Sequence, residues 1–157
     1  VDNFKTDRKE FGMTEKNNYR KLMPAVKTDQ LENFVEKVWG HEEWIVNNDK
    51  YCGKRLIVKK GFRCSMHQHK IKDETFYVAS GKVLMETEWN SVKSSRVMTS
   101  GDVIHIEIGM WHRFTGLDEA SALIEFSTFH MDSDSHRKEA SGSTDLELLK
   151  KEFSFEL

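Results

Sequence analysis

Between Glu43 and Thr128 the chain is a succession of short β-prone runs, each closed by a turn residue, with no helical period between them. The runs occupy residues 43–48, 54–60, 63–69, 75–80, 82–89, 95–99, 102–108, 111–115 and 121–128. Gly53, Gly61, Asp73, Gly81, Asn90, Gly101, Gly109 and Gly116 punctuate them. Gaps this short leave no room for crossover helices, which excludes parallel βαβ units. The pattern predicts an all-β fold of about nine strands, an antiparallel sandwich or barrel.

The flanks differ in texture. Residues 1–27 are charged and without period, and read as an arm. Leu31, Phe34, Val35 and Val38 fall at i, i+3, i+4 and i+7, which predicts a short helix over 29–38, with Asp29 and Glu32 as its cap. Beyond residue 130 the chain turns polar, and TDLELLKKEF predicts a terminal helix with a capping box at Thr144 and Glu147. The expected organisation is an N-terminal arm with a short helix over 1–38, a β-barrel over 39–130, and a tail with a short helix over 131–157. At 157 residues this is one domain with a real core.

Composition narrows the function classes. A net charge of −2 with both signs interspersed argues against nucleic acid as a partner. No apolar run reaches the length of a membrane span, and the opening residues VDNFKTDRKE carry no apolar signal region, so a cytoplasmic location and no membrane partner are expected. Cys52 and Cys64 form neither a disulfide framework nor a Cys-x-x-Cys metal site, and read as reduced, partly buried thiols.

The histidines carry the chemistry. His67 and His69 are two apart in a β-prone run, so both imidazoles face the same way. Glu74 heads the next run and His112 opens a later one. Three neutral imidazoles and a carboxylate form an N/O set suited to one divalent transition metal ion, Mn, Fe, Zn, Ni or Co, with positions left for water or substrate oxygens. His105 reads as a wall or surface residue. His41, His130 and His136 read as polar surface, with His130 near enough to the barrel mouth to reach a ligand.

In these residues the sequence resembles the cupin superfamily. The first cupin motif is Gly, five residues, His-x-His, four residues, Glu, six residues, Gly; Gly61, His67, His69, Glu74 and Gly81 meet it. The second is Gly, five residues, Pro-x-Gly, two residues, His; Gly101, Gly109 and His112 meet it, with Glu107 where proline usually stands and Thr115 where an asparagine is often found. The resemblance implies a jelly-roll β-barrel whose interior holds the ion on His67, His69, Glu74 and His112. Phe76 alternates with Glu74 and Phe114 with His112, which makes them candidate apolar contacts for a substrate in the same cavity. By the same spacing Trp111 should face away from the metal.

Flanking segments point to a branch. WGHEEWIVNNDKYCGKRLIVKKG, residues 39–61, looks like the leading segment of cupin sugar-phosphate isomerases of the mannose-6-phosphate type, although those enzymes commonly place Gln where His67 stands. EFSTFHMDSDSHR, residues 125–137, resembles the tail of D-lyxose isomerase-like cupins. This resemblance implies a metal-dependent aldose–ketose isomerase of carbohydrate metabolism, acting on a small sugar or sugar phosphate. The metal would stabilise an enediolate as a Lewis acid while a base moves a proton between C1 and C2. Lys54 and Glu125 match that family's candidate catalytic lysine and carboxylate, and Arg137 is the candidate anchor for an anionic substrate group. Cupins tend to dimerise through sheet edges and N-terminal arms, so a homodimer is expected.

Two other functions fit the metal set. A non-catalytic sugar- or effector-binding cupin needs no base, and its Lys54 and Glu125 would point away from the metal. An Fe(II) dioxygenase would use the same ligands with open positions for oxygen.

Overall fold

The computed structural model describes residues 34–156. Thirteen strands and one helix are present among them, and the strands form two antiparallel sheets. The predicted all-β class is the observed one, and the architecture is a jelly-roll.

The first sheet has the order β1-β2-β3-β11-β6-β9. Its members are β1 (Phe34–Lys37), β2 (Gly40–Asn47), β3 (Cys52–Lys59), β6 (Glu74–Ser80), β9 (Val103–Ile106) and β11 (Ala120–Ser127). In the second sheet, β10 (Trp111–Gly116) pairs on one edge with β4 (Phe62–Arg63) and β5 (Met66–Gln68), and on the other with β7 (Lys82–Trp89), which pairs with β8 (Val92–Thr99). Strands β12 (His136–Glu139) and β13 (Gly142–Ser143) add to β5 and β4. The second sheet therefore continues past residue 130, where a tail was expected to begin. Polar strands at a sheet edge bury little, so β12 and β13 carry no alternating apolar signature.

Alternation decides what lies between the sheets. In β6 the residues Glu74, Phe76 and Val78 are buried, whereas Tyr77 between them is exposed. Leu56, Val58, Phe76, Val78, Phe114 and Leu123 belong to the main core, and each fully buried side chain of this size contributes roughly 1.5–3 kcal/mol of transfer free energy. Polar interior residues cluster at one end of this core, and there the cavity opens.

Three further expectations needed correction. The helix predicted over 29–38 is not formed where the chain is described: Phe34–Lys37 is strand β1, paired antiparallel with β2. A ten-residue helix is marginal alone, and hairpin pairing outweighs its period. Residues 29–33 of that prediction, and the arm over 1–27, lie outside the described residues. The run 63–69 is not one strand but breaks between β4 and β5, so His69 follows β5 instead of lying within it. The terminal helix, Leu146–Phe153 (α1), is capped by Asp145 and not by Thr144; its carboxylate accepts from Glu147 N at 2.9 Å and Leu148 N at 3.3 Å. The helix lays Leu149 on Leu84 and Leu117, covering the outer face of the second sheet.

Both cysteines are free and buried, as expected. No helix among the described residues is long and apolar enough to cross a membrane.

Candidate metal centre

The two sheets bring the four motif residues to one point. His67 of β5 lies directly opposite His112 of β10, and Glu74 enters from the other sheet as the first residue of β6. His69 follows β5, where Gly109 N donates to its carbonyl at 2.7 Å. That contact needs the β9–β10 turn in which Met110 N donates to Glu107 O and Gly109 takes φ +87°. The turn thus forms with Glu107 in place of proline. One ligand atom from each of His67, His69, Glu74 and His112 lies within 4.8 Å of the others.

The hydrogen bonds fix which atoms face inward. The Nδ1 atoms of His67, His69 and His112 lie 2.8, 3.0 and 3.1 Å from the backbone carbonyls of Ser65, Asp134 and Met110. A carbonyl only accepts, so each Nδ1 carries the proton and each Nε2 presents a lone pair. His112 Nε2 lies 2.8 Å and His69 Nε2 3.6 Å from Glu74 Oε1. Neither contact is a hydrogen bond, and His69 Nε2, His112 Nε2 and Glu74 Oε1 are buried without a hydrogen-bond partner. Lone pairs buried face to face repel, and a proton relieves one such contact but not the whole set. A divalent cation relieves all of them, and ligand atoms about 2.0–2.2 Å from one ion lie roughly 3–4 Å from one another. The residues present therefore fit a metal ion of the N/O-binding kind.

The electrostatics agree. Burial, then the neighbouring His112, pushes His67 well below the ordinary histidine value; burial, then Lys72, lowers His69 to about 4. Both rings stay neutral, as ligation requires. Burial opposes the charge on Glu74, but His112 and Lys72 outweigh it and hold its carboxyl well below the usual range.

Beside the ligands lies a cavity of about 200 Å³ with a wall of buried charge. Lys72 Nζ sits 2.5 Å from Glu74 Oε2 and 2.9 Å from Glu125 Oε1. Burial works against its ammonium, and the Glu125 and Glu74 carboxylates more than offset it, raising Lys72 above the ordinary lysine range. Lys54 Nζ lies 4.0 Å from Glu125 Oε1, 3.6 Å from Glu42 Oε2 and 3.2 Å from His130 Nδ1, with the Trp44 ring beneath it. The other His130 nitrogen is 3.3 Å from Asp132. Charges thus alternate in sign from Glu74 to Glu42, which is how buried ions are tolerated.

Each residue singled out in the sequence can now be located. Lys54 and Glu125, neighbours across β3 and β11, are 2% and 4% exposed and line the same cavity as the ligands. Phe76 and Phe114 line it as well, though both are nearly fully buried and serve mainly as its floor. Arg137, opposite His67 in β12, stands exposed at the mouth; the one hydrogen bond of its side chain among the described residues is to Ser135 O at 3.4 Å. Trp111 faces outward under Lys138, as alternation required. His105 is an outer-face residue paired with Asp73. His130 departs from the surface role first given to it, since it lines the cavity against Lys54 and Trp44.

Lys72, Glu42 and Asp134 were missed. Lys72 lies in a turn, where no alternation points a side chain inward. Glu42 sits one residue before the first predicted run. Asp134 belongs to a polar stretch whose burial depends entirely on docking against the 70–72 turn. A lysine two residues before a motif carboxylate was the only hint the sequence held.

Comparison with known proteins agrees with this geometry. Residues 54–126, just under half the chain, match a family model described as Cupin domain. No curated protein matches the chain. Among solved structures, the capsular polysaccharide assembling protein CapF from Staphylococcus aureus aligns with a TM-score of 0.62 at 21% identity, over 68% of this chain and 34% of CapF. CapF has also been solved with the inhibitor 3-isopropenyl-tropolone, at the same TM-score and 20% identity. KdgF from Halomonas sp. aligns with a TM-score of 0.53 at 19% identity, over 59% of this chain and 82% of KdgF. Oxalate decarboxylase from Bacillus subtilis aligns with a TM-score of 0.61 at 14% identity, over 78% of this chain and 34% of that enzyme. The chain spans about a third of the length of CapF and of the decarboxylase. At these identities the likeness is one of fold, and the shared fold is the cupin barrel.

Proposed function

We propose that the chain is a metal-dependent aldose–ketose isomerase acting on a small sugar or sugar phosphate, with His67, His69, Glu74 and His112 as the metal ligands. One observation carries it: Lys54 and Glu125 are buried in the wall of the ligand cavity, 4.0 Å apart. A non-catalytic binding protein has no need of a buried base there, and its Lys54 and Glu125 would turn away.

A divalent ion on the four ligands would supply Lewis acidity toward adjacent carbonyl and hydroxyl oxygens of the substrate. The protein's own groups do the rest. Glu125 receives Lys72 and Ser127 on Oε1, and among the described residues no hydrogen bond falls on Oε2. That free oxygen is the acceptor for the C2 proton and returns it at C1. Lys54, with His130 behind it, donates toward charge developing on the substrate oxygens. Arg137 at the mouth offers a fork for an anionic terminus. A tropolone, the class of the CapF inhibitor, carries adjacent carbonyl and hydroxyl oxygens, the pair such a substrate presents, and it is a suitable probe of the loaded site. A homodimer in the cytoplasm remains part of the proposal.

The test is proton exchange. Metal-loaded protein is incubated in deuterated water with pentoses, hexoses and their phosphates, and deuterium at C2 is followed by NMR. Exchange that disappears in Glu125→Gln while bound metal is retained supports the assignment. No exchange with any substrate of the panel overturns it.

A further inference from the structure

Asp134, in the short 3-10 turn Asp132–Asp134, is 4% exposed and engages the metal loop twice. Its backbone carbonyl accepts His69 Nδ1–H at 3.0 Å. Its carboxylate accepts three successive backbone N–H groups, Lys70 at 2.9 Å on Oδ1, and Ile71 at 3.1 Å and Lys72 at 2.9 Å on Oδ2. Successive amides closing on one carboxylate make an anion nest, here filled by a side chain more than sixty positions away. The nest spans the turn between ligand His69 and ligand Glu74, and it places Lys72 against Glu74. Immediately after Asp134 come Ser135 and Arg137, both on the cavity, and β12 then pairs with the strand of His67.

From this we infer that Asp134 is a positioning residue that couples occupancy of the metal centre to the seating of residues 131–139 across the cavity mouth. The inference rests on the metal-centre reading and not on the isomerase reading. An ion on His69 Nε2 fixes the ring, and the ring's Nδ1–H holds the Asp134 carbonyl. The Asp134 carboxylate in turn holds the turn that aims Glu74. Whatever factor the seated segment adds to ion affinity, the ion must return to the seating of the segment. Arg137 is carried on that segment, so its place at the mouth depends on the same coupling.

The test uses the full chain and zinc ion as the probe. Affinity is read by competition with a chromophoric chelator for wild type, Asp134→Ala, Asp134→Asn and the remote control Glu119→Gln. Amide hydrogen exchange is followed with and without zinc. Asp134→Ala keeps the backbone carbonyl that holds His69 but frees the three amides of the turn that aims Glu74, and is expected to bind zinc about tenfold more weakly, the low end of the range for losing a group that orients a metal ligand. Asp134→Asn, which keeps one acceptor oxygen, falls between, and Glu119→Gln matches wild type. In wild type, zinc slows exchange at Lys70, Ile71, Lys72 and across 131–139; in the Asp134 variants the slowing over 131–139 is lost. A general loss of stability does not produce that zinc-dependent difference. If Asp134→Ala fails to fold, Asp134→Asn carries both measurements. A folded Asp134 variant with wild-type zinc affinity overturns the inference, as does zinc binding that leaves exchange over 131–139 unchanged. Wild type that binds no zinc or other divalent transition ion overturns the metal-centre reading itself, seen in the wild-type arm alone.

Discussion

Lys72 donates to Glu125 across the cavity at 2.9 Å, and the same ammonium lies against Glu74. The candidate base and a candidate ligand therefore share one counter-ion. Removing it in Lys72→Met leaves two buried carboxylates facing each other. The expected cost to the metal-free protein is about 3–5 kcal/mol, the range for breaking a buried ion pair from one side, and urea unfolding measures it. Lys72→Arg keeps the charge and should recover part of the loss.

Glu74→Gln keeps the volume of the ligand carboxylate and removes its charge. Metal content after dialysis should fall to background, as read by elemental analysis, while the far-UV circular dichroism of the metal-free protein stays that of wild type. A variant that retains stoichiometric metal would place the ion elsewhere.

His130 packs against Lys54, and burial, followed by the Lys54 and Lys72 charges, lowers its pKa below the ordinary histidine value. The unfolded chain then binds more protons at this site between the folded and unfolded pKa values, so stability contributed by neutral His130 is present above about pH 6.5 and lost as pH falls through the folded value. NMR titration should find His130 titrating below an exposed histidine. Lys54→Met removes the nearest positive charge, so the His130 pKa should rise; an unchanged value would separate the two residues electrostatically.

Arg137 is exposed, and among the described residues it pairs with no carboxylate. Arg137→Gln should shift stability by no more than about 0.5 kcal/mol. If the proposed substrate carries a phosphate, KM for it rises roughly tenfold, while KM for the neutral sugar does not move. Equal effects on both substrates would remove Arg137 from anion recognition.

Asp145→Ala deletes the cap of α1, which holds Leu149 against Leu84 and Leu117. A loss of about 1 kcal/mol is expected by thermal unfolding, whereas Thr144→Ala should cost much less.

The strands and the ligand set were legible because both obey local rules. Gly61, Gly81, Gly101 and Gly109 mark turns, and His67, His69, Glu74 and His112 sit at spacings a barrel strand can use. What was not legible depends on pairing between distant segments. Phe34, Val35 and Val38 have a helical period, but β2 supplies hydrogen bonds that the period cannot anticipate. Lys72 and Asp134 are buried only because residues 70–72 and 131–134 meet, and Glu42 is partly buried because β2 turns it toward Lys54. Buried charge of this kind has no local pattern, since each member is tolerated only in the company of the others.

The four ligand side chains come from both layers of the sandwich: two histidines face each other within one sheet, and the carboxylate enters from the other. Sliding either sheet by a single residue would turn its contribution to the opposite side. The site can assemble only when both layers have found native alignment. In refolding experiments a coloured ion such as cobalt(II) would act as a clock for that last event, dark until the two halves of the barrel are in step.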